Sequence, residues 1–127
     1  MFIRDAWYVG AWSHELDTTS MMSRRLLGDN ILFFRTTSGS IAAIRDRCSH
    51  RFAPLSMGRR EGDCVRCMYH GLVFDADGKC VEEPGRKGVS PNTDVRSYPT
   101  VERYKQVWIG WLQRYFEPSI GEGPHMG

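Results

Sequence analysis

The sequence predicts an all-β domain, sandwich-like or barrel-like, and three observations carry that reading. Apolar residues fall in short runs separated by clusters of Gly, Asn, Asp and Ser. No stretch shows the 3.6-residue periodicity of a long amphipathic helix. The runs are also rich in β-branched and aromatic residues, which suit a pleated, half-buried surface. A chain of 127 residues with 41% apolar composition can bury one core and form one domain.

Taken in order, WYVGAW (7–12), RRLLG (24–28), NILFFRT (30–36) and SIAAIRD (40–46) read as strands. Gly28-Asp29-Asn30 and Ser38-Gly39-Ser40 supply the turns between them. In the second of these hairpins apolar positions dominate, as expected for strands packed against another sheet. Pro54 followed by LSMG starts one short helical turn, and Gly58 stops it. Further on, DCVRC (63–67), LVFDADGKCVEE (72–83), DVRSYP (94–99) and KQVWIGWL (105–112) read as strands. Asp77-Gly78 is a two-residue hairpin signal between VFD and KCV. Residues 84–94, PGRKGVSPNTD, form a surface loop.

Charge and hydropathy exclude several classes. A net charge of +2 names no nucleic-acid partner, and the pairs Arg24-Arg25 and Arg59-Arg60 read as solvated turns. No run of about 18 apolar residues exists to span a membrane. The opening MFIRDAWYVGAW lacks the small-residue cleavage site of a signal peptide, so the cytoplasm is the expected compartment. There, four cysteines point to metal or cluster binding rather than disulfides.

The chemistry concentrates in CSHRFAPLSMGRREGDCVRCMYHGL (48–72), with three cysteines and two histidines. Its pattern is Cys48-x-His50, sixteen residues, then Cys67-x-x-His70. Three readings fit. Buried thiols and satisfied histidines need no metal. A structural zinc site would use Cys64-x-x-Cys67 with Cys48 and His50, leaving His70 idle. A [2Fe–2S] cluster would place Cys48 and Cys67 on one iron and His50 and His70 on the other, each loop straddling both metals. Two neutral imidazoles in place of two thiolates make such a centre less negative and raise its potential.

Cys48-x-His50-x16-Cys67-x-x-His70 resembles the Rieske motif. MFIRDAWYVGAW, DRCSHRFAPLSMG, VRCMYHGLVFDADGKCVEEP and VRSYPTVERYKQVWI resemble the N-terminal domain of Rieske non-haem iron oxygenases of the vanillate O-demethylase type. The likeness covers about residues 1–109. It implies a Rieske-type antiparallel β-sandwich over 1–112, with a small cluster-binding subdomain at about 46–75. It also implies one [2Fe–2S] cluster on Cys48, His50, Cys67 and His70. High-potential Rieske proteins carry two further cysteines, where this chain has Ala53 and Tyr69, so the lower-potential type is implied. Ser49 and Met68 stand where the family often has proline. Cys64, three residues before Cys67, falls on the opposite side of a strand and reads as a bystander, and Cys80 reads as a packed thiol. Tyr69 is a candidate donor toward the cluster, and Arg47 and Arg51 are candidates for docking an acidic partner. Trp7, Trp12, Trp108 and Trp111 read as core or edge packing.

The implied activity is single-electron transfer. A reductase or ferredoxin would donate, and a mononuclear-iron oxygenase domain or subunit would accept, with neither nucleic acid nor membrane as partner. That second iron needs two histidines and a carboxylate. Only His14 and His125 remain, far apart, so a complete oxygenase is not expected from this chain. GWLQRYFEPSIGEGPHMG departs from the family, and residues 113–127 are expected to be a divergent, poorly packed tail, as in a truncated product. The alternatives are a free-standing Rieske ferredoxin and a zinc-binding module.

Overall fold

The structure is a computed structural model that describes residues 6–26, 28–48, 53–69, 71–85, 88–89 and 93–111. The described residues form ten strands and two short 3₁₀ turns, so the all-β expectation holds. The strands are β1 (Ala6–Trp12), β2 (Met22–Leu26), β3 (Asp29–Arg35), β4 (Ile41–Arg45), β5 (Arg59–Glu61), β6 (Cys64–Arg66), β7 (Val73–Phe74), β8 (Cys80–Glu82), β9 (Thr100–Arg103) and β10 (Gln106–Trp111). The turns are η1 (Ser13–Glu15) and η2 (Leu55–Met57). Three antiparallel sheets result, ordered β1-β10-β9, β2-β3-β4 and β5-β6-β7-β8.

The β2-β3-β4 sheet is the middle layer, and β3 shows why. Ile31, Leu32, Phe33 and Phe34 are all buried, a continuous apolar run where a one-sided strand would alternate. Ile31 and Phe33 join Ala43, Val107, Ile109, Ala11, Leu16 and Tyr98 in one core, against the β1-β10-β9 sheet. Leu32 and Phe34 join Ala42, Ile44, Leu55, Val65, Leu72 and Phe74 in a second core, against the β5-β8 sheet. The hairpin expected to pack against one sheet therefore packs against two.

Several expectations need correction. Arg24-Arg25 and Arg59-Arg60 are strand residues rather than solvated turns. Alternation turns one member of the second pair inward, and the Arg60 side chain is only 5% exposed. Its guanidinium lies over the Phe34 ring, 4.8 Å from the centroid, and donates to the carbonyls of Asp17, Ser20 and Arg35. Buried in this way, it clamps β5 to the middle layer. DVRSYP makes only one isolated bridge, Ser97 to Ile44, while TVER, read as part of no strand, forms β9. The Asp77-Gly78 hairpin is wider than two residues, since Phe74 pairs Cys80 across residues 75–79. The side chain of Asp75 organises it by accepting the amides of Asp77 and Lys79.

At the other end, β9 and β10 meet in a turn where Tyr104 and Lys105 both have positive φ, 59° and 63°. Two such residues in succession make the tight turn whose twist matches a hairpin. Where the described chain enters and leaves, Ala6 pairs Trp111 directly. Residues 113–127, expected as a tail, lie outside the described residues.

Candidate cluster site

Cys48 follows β4 and Cys67 follows β6, and both sit in the second core at 1% and 2% exposure. The two cysteines open loops with the same internal bond. Cys48 N–H donates to the Ala53 carbonyl at 2.7 Å, and Cys67 N–H donates to the Leu72 carbonyl at 2.8 Å. Each bond closes over five residues, so each loop has a pinned neck with a buried thiol at its base. His50, Arg51 and His70 lie outside the described residues.

Glycine lets the end of η2 approach β6 and the second loop closely. A Cβ at Gly58, which ends η2, would lie 2.0 Å from the Arg66 carbonyl oxygen and 3.2 Å from the Met68 nitrogen. Gly71 has φ +74°, a left-handed conformation, and Pro84 packs where its side chain would be. Between the end of η2 and the Cys67–Leu72 loop lies an open cleft of about 370 Å³ lined by Met57, Gly58, Arg59, Arg66, Cys67, Met68, Tyr69 and Gly71. Met57, Met68 and Tyr69 are exposed around its rim.

Two charged residues that the sequence reading passed over hold the necks. The Asp46 carboxylate, 6% exposed at the end of β4, accepts Ser23 Oγ (2.6 Å), Ser56 N (2.6 Å) and Ser56 Oγ (2.7 Å). Arg66 Nη1 donates to the Gly71 carbonyl at 2.9 Å, and its Nε donates to Glu61 at 2.8 Å. Hydrogen bonds from Arg66 and Arg59 hold the Glu61 carboxyl well below the usual carboxylate range, at about 2. Only the local sequence DRC and VRC flanks these positions, and nothing in it shows which atoms they reach.

Of the other two thiols, Cys64 is half-buried on β6, and Cys80 is buried on β8 in the same core as Cys48 and Cys67. Val65 and Cys67 are buried while Cys64 and Arg66 are half-buried, the alternation expected along and just past β6. Burial, with Asp75 next in weight, pushes the Cys64 thiol up, and burial does the same for Cys80. Trp7 and Trp12 are exposed rather than core, and Trp7, Trp108, Val101, Arg103 and Tyr104 line an open hollow on the outer face of the β1-β10-β9 sheet. Among the described residues no helix is long and apolar enough to cross a membrane.

Three antiparallel sheets, with two cysteines at matched loop necks in one shared core, define a small all-β domain that brings a pair of thiols together. The Rieske [2Fe–2S] domain profile matches residues 6–99, and the chain belongs to that family, which implies one [2Fe–2S] cluster. The chain is 51% identical over 88% of its length to the iron–sulfur subunit of a toluene-4-sulfonate monooxygenase system from Comamonas testosteroni. It is 37% identical over 86% of its length to the vanillate O-demethylase oxygenase subunit of a Pseudomonas species. The crystal structure of dicamba monooxygenase superposes with a TM-score of 0.79 at 43% identity, covering 85% of this chain and 34% of that one. The chain spans about a third of the length of these curated relatives, 32% and 30%.

The residues present fit the group. Two buried thiols at the bases of matched necks supply the thiolate half of a Cys₂His₂ cluster site.

Proposed function

We propose that the chain binds a Rieske [2Fe–2S] cluster through Cys48, His50, Cys67 and His70 and passes single electrons. In this reading it is the Rieske part of an aromatic-compound oxygenase of the vanillate demethylase kind. A reductase or ferredoxin supplies electrons, and a mononuclear-iron oxygenase domain or subunit receives them. The bound cluster supplies a one-electron acceptor and donor of intermediate potential, higher than that of an all-cysteine cluster.

The observation that carries the proposal is the matched pair of necks, each with a buried cysteine and a five-residue closure. The chain's own part is to shield the two thiolates from water and to hold them a fixed distance apart. The exposed rim of Met57, Met68 and Tyr69 leaves the cleft open to an incoming partner.

Reconstitution with iron and sulfide tests the reading. The expected result is two irons per chain, visible absorption, and on reduction an EPR signal of low average g. Cys48→Ser or Cys67→Ser should abolish it, as should His50→Ala or His70→Ala, while Cys64→Ser should leave it intact. Zinc uptake with no EPR signal, or loss of the signal in Cys64→Ser, would sink the assignment.

A further inference from the structure

We infer that Asp46 and Arg66 are a pair of positioning residues, one at the neck of each ligand loop, whose opposite charges pull the potential of the centre in opposite senses. The inference rests on the cluster reading above and adds two residues to it.

Asp46 does more than end a strand. Turn η2 begins at Pro54, whose side chain offers no cap, so the first amides of that turn need an acceptor from elsewhere. Asp46 provides it across the loop, taking the Ser56 amide and hydroxyl together with the Ser23 hydroxyl from β2. Its own N–H donates to the Asn30 carbonyl of β3 at 2.9 Å. One carboxylate thus joins β2, the end of β4 and η2, and fixes both ends of the loop that Cys48 opens.

Arg66 works on the second loop from the other side. Its guanidinium reaches Gly71 at the far end of the loop and is held by Glu61, with Glu82 3.4 Å away. A planar group with several fixed donors can make these bonds at once, which a lysine ammonium cannot do in the same geometry.

Placement gives both charges a second effect. Asp46 is two residues from Cys48, a chain reach of about 7 Å, and Arg66 adjoins Cys67. Asp46 is buried and Arg66 half-buried behind its pairing with Glu61 and Glu82, so water screens both less than it would fully exposed charges. A negative charge disfavours adding an electron to the centre, and a positive charge favours it. The braces therefore offset each other, and removing either should show its sign.

The test uses the full chain reconstituted with ferrous iron and sulfide, read by iron content, EPR, midpoint potential and half-life under a chelator. Asp46→Asn keeps an acceptor for the Ser56 amide and should raise the potential, whereas Arg66→Gln should lower it. Both should shorten the half-life. Arg66→Lys should restore the potential while leaving the half-life short. A purely structural role would shorten the half-life without ordering the potentials. Equal potentials, or shifts of the same sign, overturn the inference. If Asp46→Asn does not fold, Arg66→Gln decides alone, and an unchanged potential overturns it. A wild-type chain that loads no cluster overturns this inference and the reading beneath it together. A loaded wild type whose variants do not separate overturns the inference only.

Discussion

A methyl group at position 58 would sit 2.0 Å from the backbone oxygen of Arg66, and backbone cannot step aside as a flexible side chain can. Gly58→Ala should therefore cost about 1–3 kcal/mol, the usual range for overpacking. Thermal unfolding of the chain without metal would read this as a lower midpoint, and an unchanged midpoint would show that the loops can separate. At this scale the sequence was informative where chemistry is local. Cys48 and Cys67 stand out by residue type and spacing, and their burial follows from the loops they open. Asp46 and Arg60 do not stand out. Their partners are Ser23, Ser56, Asp17 and the Phe34 ring, between 10 and 43 residues away, and no local pattern encodes such pairings.

Among elements, an ion pair joins β3 to β9. Arg35 donates to both Glu102 carboxylate oxygens, at 3.0 and 2.8 Å, and also to the carbonyls of Leu16, Ser13 and Gly39. Hydrogen bonds from Arg35 hold Glu102 at about 2, below its ordinary 4.5. A carboxyl lowered on folding contributes fully above its unfolded value and loses that contribution as pH falls through the folded one. Stability should accordingly drop between about pH 4.5 and 2. Acid titrations followed by circular dichroism should show a shallower drop in Glu102→Gln, because Glu61 and Asp17, each also near 2, keep titrating in that range. An identical slope would remove the pair from the account. Strand runs with strong apolar content were legible here, whereas β5 (RRE) and β9 (TVER) were not. Both are short and polar, and they become strands only through the partners that pair with them.

For the whole molecule, the middle sheet divides the interior into two cores with different duties. Among the described residues, the core against β1-β10-β9 holds no candidate ligand, and the core against β5-β8 holds both Cys48 and Cys67. Loading the centre should slow amide exchange of Val65 and Phe74 while leaving Val107 and Ile109 unchanged. Equal protection gained in both cores would mean that they are one cooperative unit. Phe74→Ala, which empties a fully buried ring from the ligand-bearing core, should cost about 3–5 kcal/mol and weaken iron retention. The all-β class was legible in the runs and turns, but the three-layer order was not, since it depends on which face of β3 meets which sheet. One pairing has a consequence for how such a unit can be carried about. Because Ala6 lies opposite Trp111 on neighbouring strands, entry and exit are about 5 Å apart, the spacing of an antiparallel pair. A segment with doors that close together can be spliced into a surface loop of an unrelated host without prying the host open. A host grafted with residues 6–111 at such a loop would keep its own termini where they were.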